Sequence, residues 1–83
     1  MSSEVLANLY TSEDTLAGDP VILTFPWRAR RIIVTNDSTI NALSVTIAGQ
    51  TLTLKPTETL TANLHISVLG IDGTGDYRVW AFG

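Results

Sequence analysis

The stretch NALSVTIAGQTLTLKP, residues 41–56, places an apolar side chain at every second position, pauses at Ala48-Gly49, and resumes. A period of two is the period of a β-strand, whose successive side chains point to opposite faces. With Ala48 and Gly49 at the tip of a hairpin, Leu43 faces Leu54 and Val45 faces Leu52. Ser44 then faces Thr53, and Thr46 faces Thr51. Directly opposed residues of an antiparallel pair share a side. One side of this ribbon is therefore aliphatic and the other carries hydroxyls. A slip of one residue sets Leu against Thr and destroys the separation. The hydroxyl side is expected to meet water, as one side of an antiparallel sheet commonly does. Small Ser and Thr side chains also permit close packing on another protein.

Short runs rich in Thr, Val, Ile and Leu recur along the chain. They predict strands over residues 5–10, 21–25, 31–35, 43–47, 51–54, 64–69 and 77–82, with a further extended piece at 59–61. No segment keeps a helical spacing, and Pro20, Pro26, Pro56 and six glycines interrupt the chain. The pattern predicts an all-β fold: a small antiparallel β-sandwich or jelly-roll-like barrel of seven or eight short strands. Residues 1–19 read as an N-terminal arm, or as a first strand followed by an acidic loop. Within them, residues 11–19 are polar and suit a loop, a short helix begun by Ser12, or part of the arm. Residues 20–83 form the sandwich, and the whole is a single domain.

The closing strand, DYRVWAFG, breaks the simple alternation. Tyr77, Val79 and Ala81 share one side, while Arg78, Trp80 and Phe82 share the other. Both sides are substantially apolar. Either the strand is central and covered twice, or Trp80 and Phe82 form a subunit interface, where exposed aromatics act as anchors.

Length and charge narrow the function classes. A chain of 83 residues buries only about 60–65% of its unfolded surface, so association is a common route to further burial. There are no cysteines, hence no disulfides or thiolate metal sites, which fits a reducing cytoplasm. The net charge is −3 with five basic residues, which argues against nucleic acid as a partner. The apolar runs are too short to span a bilayer, so no membrane role is expected. The first residues include Glu4 and lack the basic start of a secretory signal.

Candidate chemistry is sparse. His65, the single histidine, sits in NLHISVL and reads as an outward-facing strand residue; a general base needs an oriented partner that no motif here supplies. DGTGD, residues 72–76, reads as a glycine turn, with a weak cation site only where another carboxylate converges. Glycosidase chemistry needs two carboxylates brought together by folding, as Glu58 and Asp72 could be, but nothing in the chain points to that pairing. PWRARR, residues 26–31, concentrates three of the five basic residues beside Trp27. Two readings stay open for it. Its arginines pair with Glu13, Asp14 or Asp37, or Trp27, Arg28, Arg30 and Arg31 form a partner-contact patch. No catalytic residue, cofactor or metal is expected.

The run RIIVTNDSTINALSVTIAGQTLTLKPTETLTANL, with its VTN, IAG and LTLKPTETL elements, and the closing GTGDYRVWAFG resemble small β-sandwich structural proteins of tailed bacteriophages. The resemblance covers about 50 residues from Arg31 onward. It implies a virion accessory protein, made in the host cytoplasm, that decorates the capsid. Such a protein forms a homo-oligomer, a trimer, and contacts the major capsid protein or another virion protein. The competing reading is a tail-associated carbohydrate- or receptor-binding module with Trp27 or Tyr10 as its aromatic platform. A small enzyme is the third and least supported reading.

Overall fold

The structure is a computed structural model in which residues 9–83 are described. Every regular element among them is a strand: β1 (Leu9–Thr15), β2 (Val21–Ala29), β3 (Arg31–Asn36), β4 (Leu43–Ile47), β5 (Gln50–Leu54), β6 (Thr59–Ala62), β7 (Ile66–Gly73) and β8 (Asp76–Phe82). They form two four-stranded antiparallel sheets. Sheet A has the order β1-β8-β3-β6, and sheet B the order β2-β7-β4-β5. The pairs β4–β5, β3–β6, β2–β7 and β1–β8 are nested. The chain is thus one long hairpin, folded back on itself and rolled into two layers, which is the jelly-roll arrangement of an all-β sandwich.

The apex of that long hairpin is the ribbon with which the chain was first read. Leu43 pairs with Leu54, Ser44 with Thr53, Val45 with Leu52 and Thr46 with Thr51. Ala48 and Gly49 form the two-residue tip with φ of 51° and 81°. Positive φ at both central residues is the signature of a type I′ turn, whose twist matches that of the strands it joins. The aliphatic side of β4 faces inward, with Leu43, Val45 and Ile47 buried, while Thr46, Thr51 and Thr53 are exposed on the outer face.

The layers enclose Phe25, Ile32, Val34, Leu43, Val45, Leu69, Ile71, Tyr77, Val79 and Ala81, all buried. Phe25 lies at the centre of an aromatic row, 4.9 Å from the Tyr10 ring and 6.4 Å from the Trp27 ring. Asn36 is the buried polar residue among them. Its Nδ2 donates to the carbonyls of Asn41, Leu54 and Lys55, and its Oδ1 accepts from the Ser38 N–H. The cost of burying an amide is offset because each end finds partners.

Three expectations need correction. The polar segment 11–19 is not a loop over its first half: β1 continues to Thr15 and pairs with β8 along its whole length. Alternation alone missed this strand because β1 is an edge, so even its inward side is only half covered. Tyr10 and Ser12 point inward, with Ser12 Oγ hydrogen-bonded to the Tyr77 hydroxyl at 3.0 Å. Residues 5–8 of the first predicted strand lie outside the described residues. Second, β2 does not stop at Phe25 but runs through Pro26 to Ala29, tolerating the proline because β2 is an edge strand. Its pairing shifts register between Thr24 and Ala29, the mark of a bulge. Third, β7 starts two residues later than expected and extends to Gly73.

Candidate functional site

Two outer faces remain once the core is assigned. On sheet A, cross-strand pairing sets Leu9, Phe82 and Arg31 in one row and Thr11, Trp80, Ile33 and Thr61 in the next. Trp80 is 42% exposed, Phe82 37% and Leu9 48%. The strand that carries them is central, with Tyr77, Val79 and Ala81 buried beneath. Among the described residues, no second layer of core therefore covers Trp80 and Phe82. They form an apolar patch on the molecular surface.

That patch is bordered by Arg78, whose guanidinium carbon lies 5.8 Å from the centre of the Trp80 ring. Arg78 is held by Asp37 through two hydrogen bonds, Nε to Oδ2 at 2.7 Å and Nη2 to Oδ1 at 3.0 Å. This fork-to-fork geometry suits guanidinium and carboxylate. The hydrogen bond to Asp37, and then its negative charge, raise the Arg78 pKa above the ordinary arginine value; Glu13 adds to the effect. The paired hydrogen bonds thereby orient Arg78 beside the indole.

On sheet B the outer face is a shallow groove of about 660 Å³. Its floor is low because Gly70 pairs with Ile22 on one side and Thr46 on the other. A Cβ at Gly70 would lie 3.3 Å from Thr46 Cβ. Ile22 and Val68 supply apolar walls, Arg28 and His65 stand towards one end, and Ser44 and Asp72 towards the other. The groove was not legible beforehand. The predicted strand stopped at residue 69, short of Gly70, and only pairing places this glycine between two larger neighbours.

The PWRARR residues do not form one patch. Trp27 is half-buried and packs against the core. Arg28 lines the groove of sheet B. Arg31 is exposed in the Phe82 row of sheet A. Arg30 sits at the bend between β2 and β3, where its side chain reaches the Gly83 carbonyl at 3.4 Å. Alternation explains the separation: two successive strands belong to different sheets, so neighbouring arginines are sent to opposite faces. Nor do these arginines find the acids suggested for them. Among the described residues, the side-chain ion pair formed is Arg78 with Asp37.

The remaining candidates are structural in position. His65 is exposed at the groove rim. Glu58 turns back to accept the Lys55 N–H at 2.7 Å in the connection between β5 and β6, while Asp72 lies in β7 and lines the groove of sheet B. In the DGTGD turn, the Gly75 carbonyl accepts from Leu16 N–H and the Gly73 carbonyl from Gly18 N–H, both at 3.0 Å. Among the described residues, no three of His, Cys, Asp and Glu are grouped as a metal site.

No protein-family model and no curated protein matches this chain. Solved structures do. A conserved protein of unknown function from Streptococcus pyogenes aligns with a TM-score of 0.62 at 12% identity, covering 90% of this chain and 64% of that one. The EutQ protein of Clostridium difficile aligns at 0.56 and 12%, covering 99% of this chain and 62% of that one. A designed double-stranded β-helix aligns at 0.52 and 10%, covering 89% and 95%. The fold is that of a double-stranded β-helix. This chain spans less than two thirds of the first two proteins, and at these identities the likeness is one of fold alone.

Proposed function

We propose that this double-stranded β-helix is a non-enzymatic structural protein that works by assembly, with the outer face of sheet A as its self-association surface. The observation that carries this reading is the exposure of Trp80 and Phe82 on a central strand, aligned with Leu9 and Ile33. Aromatic side chains on a rigid sheet present large contact area at little conformational cost, and they dominate binding energy at interfaces. The interior supports the same reading. The space between the sheets is filled by aliphatic and aromatic side chains around one fully bonded asparagine, and the single histidine lies outside it.

The finer assignment is a capsid decoration protein on a virion, in contact with the major capsid protein. It rests on the resemblance of residues 31–83 to phage structural modules. A small module of this kind gains stability by association and attaches through many weak, repeated contacts on a lattice.

Native mass spectrometry and light scattering at micromolar concentration test the assembly. The expected result is an oligomer that Trp80→Ser or Phe82→Ser converts to a folded monomer. A wild-type chain that stays monomeric at 100 times that concentration overturns the reading. The virion assignment is tested separately, by asking whether the chain co-purifies in stoichiometric amount with particles released from the cells that make it. Its absence from those particles rejects the assignment.

A further inference from the structure

We propose that two copies of this chain pair edge to edge through β5, antiparallel about a twofold axis at Leu52, so that sheet B runs on from one copy into the other. The contact uses neither Trp80 nor Phe82. It goes beyond the assembly reading above and stands separately from the outer face of sheet A.

The edge strands are not alike. β2 carries Pro26 and a register shift. β1 carries Glu13 and Asp14, the latter on the inward side opposite Tyr77. Proline, bulges and inward charges are devices that keep an edge from pairing. β5, with the sequence QTLTL, has none of them, and its register with β4 is regular throughout. The hairpin tip also fixes which backbone groups point off the sheet. Ile47 and Gln50 flank a two-residue tip and form a hydrogen-bonded pair, and such pairs alternate along an antiparallel ladder. Gln50, Leu52 and Leu54 therefore direct their N–H and C=O groups to β4, while Thr51 and Thr53 direct theirs outward. The next outward N–H, that of Lys55, is capped by Glu58 Oε1 at 2.7 Å, and the Lys55 carbonyl accepts from the Glu58 N–H at 3.1 Å. Among the described residues, no strand pairs with the Thr51–Thr53 stretch.

Leu52 defines what fits that edge. It shares the inward side with its partner Val45, which is fully buried, yet Leu52 is 44% exposed. It borders a cleft of about 300 Å³ between the sheets, together with Ile47, Leu60, Ala62 and Leu64. An occupant has to bring an apolar side chain on the inward side, flanked by two residues with free backbone groups. Thr51-Leu52-Thr53 of a second copy is such a segment. About a twofold at Leu52, Thr51 of one copy lies opposite Thr53 of the other, and the two exchange N–H···O bonds on both sides of the axis. Leu52 meets its counterpart at the non-hydrogen-bonded position, where Cα atoms approach to about 4.5 Å and side chains are closest. The leucines point into the clefts. The threonines point outward and extend the hydroxyl row in which Thr46 and Thr51 are bonded at 3.0 Å. Lys55 falls opposite Gly49 of the second copy, so no like charges meet.

The neighbouring registers are poorer. An axis at Thr51 sets Thr53 against the turn at Gly49, and an axis at Thr53 sets Thr51 against the capped Lys55. A half-step between them opposes Leu to Thr. β6 repeats the pattern at Thr59-Leu60-Thr61, but Leu60 is already half-buried and gains less from a partner. The β5 contact is short, and its backbone bonds replace bonds to water, so alone it is weak, with a dissociation constant in the millimolar range. Copies gathered by another contact meet at high local concentration, where a weak edge pairing forms.

The test is amide hydrogen exchange, followed by NMR at micromolar and at millimolar concentration, on the full chain and on Trp80→Ser. In both proteins the Thr51 and Thr53 amides are expected to exchange about twofold or more slowly at the higher concentration. The Leu52 and Leu54 amides, bonded to β4, are expected not to change. Leu52→Lys sets two ammonium groups together at the axis, and Thr53→Pro removes an outward donor at a position where an edge strand tolerates proline. Each is expected to abolish the concentration effect while the Leu54 amide stays protected, which shows that the fold is intact. Exchange at Thr51 and Thr53 that does not depend on concentration overturns the proposal. So does slow exchange of these amides already at micromolar concentration in Trp80→Ser, which would mean that the edge is covered within its own chain. An effect that survives both substitutions, or that falls on Thr59 and Thr61 instead, also overturns it. The Trp80→Ser arm decides the β5 contact whether or not the outer face of sheet A associates.

Discussion

Asn36 Nδ2 lies 3.2 Å from the Leu54 carbonyl, a bond that joins β3 of one sheet to the end of β5 in the other. The same amide holds Asn41 and Lys55 and accepts from Ser38. One side chain thus organises the loop between β3 and β4 and the exit from β5. Asn36→Leu removes all four bonds and strands carbonyls in a buried place. The expected loss is about 3 kcal/mol of folding stability, read as a lower urea midpoint with an unchanged slope. A loss below about 0.5 kcal/mol would mean that water replaces the amide.

Gly75 touches the same loop. A Cβ there would lie 2.5 Å from Ser38 Cβ and 2.9 Å from its Oγ. Gly75→Ala therefore has to push the loop away, at an expected cost of about 1–3 kcal/mol. Ser38→Gly is expected to cost stability alone, because Ser38 Oγ accepts from the Ile40 and Asn41 N–H groups. Combined, the two substitutions are expected to cost less than their sum, since the clash disappears. Strict additivity in chemical denaturation would rule out the contact as the cause.

The hairpin tip offers a stabilising change. Ala48 adopts φ of 51°, a region that costs a non-glycine residue energy and that Asn tolerates better. Ala48→Asn creates Asn-Gly and is expected to raise stability by about 0.5–1 kcal/mol, or roughly 2–8 °C in melting temperature. A lower melting temperature would show that the tip contacts something the alanine methyl serves.

Phe25 and Trp80 are both strand aromatics, yet their substitutions separate stability from assembly. Phe25 is 3% exposed, so Phe25→Ala is expected to cost about 3–5 kcal/mol. Trp80→Ser, measured on protein too dilute to associate, is expected to cost less than about 1 kcal/mol. At high concentration the wild type gains stability by mass action and the Trp80 variant does not. Equal concentration dependence in both proteins would remove Trp80 from the interface.

The β4–β5 pairing was readable because every determinant is local. Alternation assigns each side chain to a face, and a two-residue tip sets the register. The same holds for the two sides of β8, where Tyr77, Val79 and Ala81 went inward together. The Thr11–Thr15 strand was hidden because its hydroxyls and acids form a poor apolar pattern; its partner, β8, is more than 60 residues away in the chain. The half-buried position of Trp27 was likewise hard to read. Its neighbours are charged, but its own side chain follows the inward alternation of Leu23 and Phe25.

By itself, then, the order of residues determined which side chains share a face and where the ribbon turns, because a strand's period of two is a property of the local backbone. Tertiary structure alone decided which faces became neighbours. It separated Arg28 from Arg31, put Gly70 between Ile22 and Thr46 to open a groove, and left Trp80 and Phe82 uncovered. These outcomes depend on how distant strands pair and how two layers stack, and no short window of sequence contains that information.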